Sequence, residues 1–289
     1  MNHIHLNLKR FDILKQYGGV NDLSHPEEWG GTIVNAVCDQ LDRLKAIYPD
    51  VEFTIYFPEA HIISAVSALG KEVPFNVGCQ SVYRSDSAID GNFGAFTSHR
   101  TANSMRQLGV TGTIIGHLEE RLDKNGIISQ AGVTDLTSIN AILREEILAA
   151  QKAGLKVLYC IGETLEERDN WQEVLKKQLE IGLDQVDPED LVIGYEPVWA
   201  IGPGKTPPTS SQVEEVVSYI KTLYPTLEVI YGGGLKLDNA GSLAQIPNLD
   251  GGLIALTRFT GDIGFYPDEF IAISELFLKE RQQVVADEN

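Results

Sequence analysis

Cysteine is scarce in this 289-residue chain: Cys38, Cys79 and Cys160 are spread too widely to indicate a disulfide framework or a zinc cluster. Because free thiols are usual inside cells, we expect a reducing, cytoplasmic environment. No window of eighteen consecutive apolar residues occurs, so the sequence predicts no membrane-spanning helix. Residues 1–12 hold no long apolar stretch either, and we expect no secretory signal peptide.

Positive charge is also in short supply. The chain has 41 acidic and 23 basic residues, a formal net charge of −18. A surface this acidic does not coat nucleic acid or an anionic membrane, so we expect neither as a partner. With 43% hydrophobic residues the chain has enough apolar side chains for a sizeable core, which excludes disorder. An anionic ligand would have to be held by local donors against the overall field.

Short apolar runs recur along the chain, separated by longer amphipathic stretches. Each run is nearly continuous in hydrophobicity, which is typical of parallel strands buried on both faces. The eight predicted strands are 4–8, 51–57, 73–79, 110–115, 155–161, 191–195, 227–231 and 251–256. Eight strand–helix alternations predict an α/β fold, a closed (β/α)₈ barrel, and we expect one domain over residues 1–289.

Apolar residues at three- and four-residue spacing predict the helices of this alternation. The predicted helical stretches are 29–47, 134–153, 165–184, 209–223 and 267–281. Two further stretches, 14–28 and 80–93, are predicted to be loops after strands. An open doubly wound sheet is the alternative fold, but it would need a glycine-rich turn after its first strand, where residues 9–12 read Lys-Arg-Phe-Asp.

Active sites of such barrels lie just past the carboxyl ends of the strands. This rule selects polar residues and glycines that directly follow the apolar runs: Asn7, Lys9, His117, Glu163, Glu196 and Gly232–Gly234. The other histidines show no metal-ligand spacing, and we expect no metal site.

Glu196 closes an apolar strand and is followed by Pro-Val-Trp, so partial desolvation would raise its pKa toward that of a useful base. The segment AIGPGK that follows offers glycine amides suited to a mobile lid over an anion. His117 starts a helical turn, where its ring would stay neutral. Position alone leaves other readings open: Glu196 in a structural ion pair, His117 as a satisfied strand-end residue, Lys9 as a solvated cation.

Six segments in order along the chain closely resemble the triosephosphate isomerase family. They are NLK at 7–9, GAFTSHRTANSMRQLG at 94–109, IGHLEER at 115–121, CIGETLEER at 160–168, YEPVWAIGPGKT at 195–206 and YGGGLKLDNA at 231–240. They are spread over most of the stretch 4–280, and six matches in register do not arise by accident. The chain is therefore identified as a member of this family.

The resemblance implies aldose–ketose isomerisation of a small sugar phosphate through an enediolate, without cofactor or metal, and a place in glycolysis and gluconeogenesis. It makes Glu196 the base, His117 the electrophile at the substrate oxygens and Lys9 a cation near them. Further roles that it implies are substrate positioning by Asn7, phosphate-facing backbone at Gly202, Gly232, Gly233 and Gly234, a lid hinge at Pro197 and Trp199, and a lid latch at Tyr231. The loop around Thr97 usually docks into a neighbouring subunit, so the resemblance also implies a homodimer.

Several residues depart from the family pattern. Leu118 stands where a serine usually follows the histidine, and Gly234 replaces the serine of the usual Tyr-Gly-Gly-Ser turn. The lid carries Pro203 and the pair Pro207-Pro208, which removes backbone donors and stiffens its exit.

The last predicted strand shows the largest departure. Ala255 and Leu256 stand where the family brings a Gly-Gly backbone against the phosphate, and Arg258 just beyond would supply a replacement contact. The residues that would transfer protons therefore match the family pattern, whereas the residues that would contact the phosphate differ from it. Triose phosphate is the leading substrate, a tetrulose phosphate such as erythrulose phosphate is a close alternative, and a non-catalytic sugar-phosphate-binding barrel is a third possibility.

Overall fold

Apolar runs buried on both faces form eight parallel strands that close into a barrel in chain order. The computed structural model describes residues 1–23, 25–70, 73–135, 137–202 and 204–287. The strands are β1 Asn2–Asn7, β2 Val51–Phe57, β3 Asn76–Cys79, β4 Gly112–Ile115, β5 Lys156–Ile161, β6 Leu191–Tyr195, β7 Glu228–Tyr231 and β8 Gly251–Ile254. The predicted (β/α)₈ barrel is confirmed.

Helices follow the strands and cover the outside of the barrel. Within the described ranges they are α1 Trp29–Ile47, α2 Glu59–Ala68, α3 Ala102–Gln107, α4 Leu118–Gln130, α5 Thr137–Lys152, α6 Trp171–Gly182, α7 Ser210–Leu223, α8 Ala240–Ala244 and α9 Pro267–Asp287. Short 3₁₀ turns are formed by residues Lys15–Tyr17, Pro26–Glu28, Arg168–Asn170 and Val198–Ala200. The outer face of the strands and the apolar stripes of the helices make the main core.

The register of the strands brings their carboxyl ends to one rim. Tyr195 at the end of β6 pairs with Ile161 of β5 on one side and with Tyr231 of β7 on the other. Leu6 of β1 pairs with Ile254 of β8, which closes the ring. Residues that directly follow these strands therefore meet around a single mouth, as parallel pairing requires.

The barrel interior is filled by a separate, smaller cluster of side chains. Its buried members come from β2, β4, β5, β7 and β8: Tyr56, Ile114, Leu158, Cys160, Ile230 and Leu253. This packing makes the interior a solid core, so a ligand has access to the rims only.

Most predicted elements agree with the structure, and the differences lie at element ends. Strand 73–79 begins at Asn76, strand 110–115 begins at Gly112, and strand 251–256 ends at Ile254. The helix predicted over 134–153 is α5, and Leu136, one of the residues in its apolar pattern, lies outside the described residues. The predicted N-terminus of α7 is a capping box, in which the Thr209 hydroxyl accepts the Gln212 N–H.

Four helices were missed by the periodicity argument. None of the side chains of α4 is buried, so it has no apolar stripe to detect. Helix α2 is apolar nearly all round, while α3 and α8 have only six and five residues, too few to show a period. Segments 14–28 and 80–93 follow β1 and β3 as loops, Ser24 lying outside the described residues. Among the described helices, none is long and apolar enough to cross a membrane.

Candidate active site

Glu196 follows β6 and is nearly completely buried, with 2% of its surface exposed. Its backbone N–H donates to the Ile161 carbonyl at 2.8 Å, so it continues the β5–β6 pairing. Its Oε2 accepts the Leu118 N–H at 2.8 Å. A serine hydroxyl is therefore not needed to hold this carboxyl group, because the backbone of Leu118 does so.

His117 follows β4 through Gly116, which has a φ of 77° and turns the chain sharply into α4. The imidazole caps this helix, since Nδ1 accepts the Glu119 N–H at 3.3 Å. A neutral ring with Nδ1 as acceptor carries its proton on Nε2. That nitrogen lies 3.4 Å from Oε1 of Glu196, so the acid and the imidazole share one mouth of the barrel.

Burial moves the pKa values of this pair in opposite directions. It raises the pKa of Glu196 to about 8, against the opposing effects of the Leu118 N–H, Lys9 and Arg121. Burial and the positive charge of Lys9 lower the pKa of His117 to about 4. Near neutral pH the imidazole is therefore an uncharged donor, and the carboxyl group is close to its own titration point.

Lys9 lies just beyond β1 with a φ of 42°, a left-handed conformation that a lysine adopts only when its surroundings hold it. Asn7 accepts the Lys9 N–H on Oδ1 at 2.9 Å. Gln80 donates from Nε2 to the Lys9 carbonyl at 2.7 Å and to Asn7 Oδ1 at 3.2 Å. The lysine is thus held in place by side chains from the ends of β1 and β3.

Gln80 was missed by the sequence reasoning, although the same rule would have found it. It is the first residue after the run 73–79, just as Glu196 is the first residue after 191–195. It was not selected because it lies at the start of the predicted polar loop 80–93.

The glycine turn after β7 divides into two parts. The Gly232 N–H donates to the Tyr195 carbonyl at 2.6 Å, and a Cβ at Gly232 would lie 2.8 Å from Cγ of Glu196. Gly232 therefore packs beneath the acid, and its amide is already engaged, contrary to the expected use on phosphate. Among the described residues, the N–H groups of Gly233 and Gly234 donate to no protein acceptor.

The predicted lid begins at a buried anchor. Pro197 precedes the 3₁₀ turn Val198–Ala200, and Trp199 donates its Nε1–H to Oε1 of Glu163 at 2.9 Å. Arg168 and Tyr195 also donate to this oxygen, at 2.7 and 3.1 Å. Glu163, selected above as a strand-end candidate, therefore holds the start of the lid.

Beyond this anchor, Gly202 and residues 204–207 of the lid are exposed. Gly202 is exposed with a φ of 121°, a left-handed conformation suited to glycine. Pro203 lies outside the described residues. Tyr231, the predicted latch, is buried at the end of β7.

Arg258 is engaged elsewhere than predicted. Its Nε and Nη2 both donate to Oε1 of Glu269, at 3.0 and 2.6 Å, and its guanidinium stacks 3.7 Å from the centre of the Tyr266 ring. A phosphate contact would have to displace that carboxylate. Ala255 and Leu256 are half-buried between β8 and this segment.

Within the described part of the chain, no three histidine, cysteine or acidic side chains lie close enough together to hold a metal ion. The groups with polar atoms at the mouth are instead an acid, an imidazole, an ammonium and glycine amides. These can move a proton and bind a small anionic molecule.

A closed barrel of eight parallel strands with an acid–imidazole pair at its carboxyl rim defines a (β/α)₈-barrel protein with an acid–base site. The sequence model for triosephosphate isomerase matches residues 31–266. The chain belongs to the triosephosphate isomerase family.

Similar proteins agree with this assignment. A triosephosphate isomerase of Pelodictyon phaeoclathratiforme is 39% identical over 63% of this chain and 70% of its own length. One of Rhizobium meliloti is 32% identical over 84% of this chain and 93% of its own length. The crystal structure of triosephosphate isomerase from Bartonella henselae superposes with a TM-score of 0.69 and 26% identity, covering 96% of this chain and 98% of that one. These relatives are isomerases by name.

Proposed function

We propose that this protein interconverts an aldose and a ketose phosphate, with glyceraldehyde 3-phosphate and dihydroxyacetone phosphate as the first substrate pair. One observation carries the proposal: the Glu196 carboxyl group lies 3.4 Å from Nε2 of His117 in a buried position at the barrel mouth. An acid and a neutral donor at this spacing fit a substrate with a C–H bond next to a carbonyl group.

The reaction follows from the protonation states of the pair. Ionised Glu196 removes a proton from the carbon next to the carbonyl group, and the electrons of that C–H bond move onto the carbonyl oxygen. His117 Nε2–H donates a hydrogen bond to the oxygen that becomes negative. The hydroxyl proton on the deprotonated carbon is relayed by His117 to the former carbonyl oxygen. Glu196 then returns its proton to the former carbonyl carbon, and the carbonyl group is left on the neighbouring carbon, so no external reductant or oxidant is needed.

Other residues bind and enclose the substrate in this proposal. The Lys9 ammonium, positioned through Asn7, offsets negative charge on the substrate oxygens. The amides of Gly233 and Gly234 face the phosphate, joined by Gly202 of the lid. Pro197 and Trp199 form the lid hinge and Tyr231 receives the closed lid, which excludes water from the reacting atoms.

The test is an isomerase assay on the wild-type protein and on Glu196→Gln and His117→Gln. Loss of the general base should lower kcat by roughly two to four orders of magnitude while the fold is retained. Glu173→Gln, an exposed glutamate on α6, is the matched control and should keep wild-type activity. Unchanged turnover in Glu196→Gln would refute the mechanism.

A four-carbon ketose phosphate is a second candidate substrate. Ala255 and Leu256 place side chains after β8, where the family pattern expects glycine, so the phosphate end differs from that pattern. Parallel assays with glyceraldehyde phosphate and erythrulose phosphate decide between them by the ratio of kcat/KM. Binding of both without turnover of either would favour a non-catalytic sugar-phosphate-binding barrel.

We also propose a homodimer that forms through the loop around Thr97. The adjoining segment 80–93 exposes large apolar side chains, with Ile89 at 96% and Phe93 at 90% exposure, which a second copy would cover. Phe93→Glu should shift the protein toward monomer in sedimentation velocity. Ile127→Glu, on the exposed face of α4, is the control and should not.

Finally, we propose a cytoplasmic location. All three cysteines are free thiols, and two of them, Cys79 and Cys160, are buried in the barrel. Cell fractionation with an antibody against the protein tests this expectation.

A further inference from the structure

Lys236 carries an ammonium group at the barrel mouth that has an aromatic partner and, among the residues that the structure describes, no acidic one. Its Nζ lies 4.0 Å from the centre of the Phe259 ring, a cation–π contact. No carboxylate of the described residues lies within ion-pairing distance of it.

The backbone around Lys236 is held in a defined shape. Asn239 accepts the Lys236 N–H on Oδ1 at 2.7 Å and donates from Nδ2 to the Gly234 carbonyl at 3.0 Å. The Leu235 N–H donates to the Leu253 carbonyl of β8 at 2.9 Å. These contacts fix the turn that presents the free N–H groups of Gly233 and Gly234.

The ammonium lies close to those amides. Cε of Lys236 is 3.6 Å from the point where a Cβ on Gly234 would stand, and Nζ is one bond further along. An anion bound on the glycine amides would therefore be within reach of a charged donor on a flexible stem.

The other basic residue on these two turns is already used. Arg258, on the segment after β8, donates twice to Glu269 and stacks on Tyr266. Phe259 directly follows Arg258. This segment therefore supplies the aromatic ring beneath Lys236, while the guanidinium of Arg258 is already bound to Glu269. In (β/α)₈ barrels a phosphate commonly binds between the loops that follow strands 7 and 8, which is where these groups meet.

We propose that Lys236, positioned by Phe259, binds the phosphate group of the substrate together with the amides of Gly233 and Gly234. The inference rests on the proposed function for the identity of the ligand. Lys236 is the binding residue and Phe259 is a positioning residue that acts through it. The pair compensates for the side chains that Ala255 and Leu256 place after β8.

Inorganic phosphate is the first probe, because its binding does not depend on turnover. Titration calorimetry should show that Lys236→Gln raises the phosphate Kd about tenfold, the loss expected for one charge-assisted contact. Lys236→Arg should stay within about threefold of the wild type, because it keeps the charge. Lys152→Gln, an exposed lysine at the end of α5, makes the same change in net charge and should leave the Kd unchanged.

The positioning role of Phe259 is tested by a pair of variants. Phe259→Leu removes the ring and should raise both the phosphate Kd and the KM for the sugar phosphate, whereas Phe259→Tyr keeps the ring and should restore them. Phe259→Leu and Lys236→Gln should lower kcat/KM for the sugar phosphate by a larger factor than kcat/KM for unphosphorylated glyceraldehyde. A merely structural role would lower both by the same factor.

The outcomes separate this inference from the proposed function. If the wild type isomerises a sugar phosphate but Lys236→Gln keeps its KM and phosphate Kd within twofold, the inference is wrong and the function stands. If no sugar phosphate turns over but phosphate binding weakens in Lys236→Gln alone, the inference stands and the function is wrong. Failure of the wild type to bind phosphate, or equal weakening in Lys152→Gln, would overturn the inference.

Discussion

Substitution of Gly232 by alanine tests the geometry of the acid directly. Gly232 lies beneath Glu196, and a Cβ there would stand 2.8 Å from Cγ of Glu196 and 2.9 Å from the Tyr195 carbonyl oxygen. Ordinary contacts begin near 3.4 Å, so the methyl group is short of room by about 0.6 Å on the side of the acid. The Tyr195 carbonyl belongs to β6 and yields little, so the side chain of Glu196 has to move.

The size of the effect follows from this displacement. A shift approaching 1 Å in a catalytic group costs up to about a hundredfold in rate, so Gly232→Ala should lower kcat between roughly tenfold and a hundredfold. Overpacking beside a buried side chain should also lower the free energy of unfolding by about 1–3 kcal/mol. KM should change less than kcat, because the amides of Gly233 and Gly234 are not displaced by the new methyl group.

The assay is steady-state isomerase kinetics together with urea unfolding of the same preparations. Gly126→Ala is the matched control: this glycine is exposed in α4 with open space around its Cα, so alanine should leave kcat unchanged and stabilise the helix by about 0.5–1 kcal/mol. If Gly232→Ala keeps kcat within threefold of the wild type, the acid is not where the structure places it, or is not the base.

Three further predictions concern other buried groups. Burial raises the pKa of Glu196 to about 8, so kcat/KM should rise with pH and reach a plateau above that value; a flat pH–rate profile would contradict this. Because the folded state keeps this proton more tightly than the unfolded state does, the same carboxyl group should progressively lower the free energy of unfolding as pH rises from about 4.5 to 8. Burial opposes charge on His3, but the 2.6 Å contact between its Nε2 and Glu228 raises its pKa. The stabilisation that His3 provides should therefore be present below pH 6.5 and be lost above the raised pKa. The difference in melting temperature between the wild type and His3→Gln should shrink from pH 6 to pH 9. Trp199→Phe removes one of the three donors to Oε1 of Glu163 and should lower the free energy of unfolding by about 1–3 kcal/mol in urea titrations, whereas an unchanged value would show that the anchor of the lid contributes nothing.

The sequence was most informative where a pattern spans many residues. Strand runs such as 51–57 and 191–195 correspond to β2 and β6 at both ends, because strands buried on both faces are continuously apolar. Helix α1 has the predicted bounds for the analogous reason, since its apolar residues face the barrel at helical spacing. Helix α4 lacks such a stripe and was missed, although His117, one of the residues of the site, caps its N-terminus.

The candidate site was predictable as a set of residues and not as a set of contacts. The rule that polar residues after parallel strands meet at one rim brought Glu196, His117 and Lys9 together, and their roles remain predictions. It could not tell that Arg258 pairs with Glu269 or that the Gly232 amide is bonded to Tyr195. Those choices depend on distances between segments far apart along the chain, which no local pattern encodes.

Residue types and their order along the chain were enough to determine the barrel, the family and the acid and imidazole at its mouth, because alternation, length and hydrophobicity are local properties. Tertiary structure alone decided the charge state of those groups and the partners of the loop cations. Burial sets the opposing pKa shifts of Glu196 and His117, and the meeting of two loops places Lys236 over the ring of Phe259. Solvation and cross-loop distance arise only when separate segments are packed together.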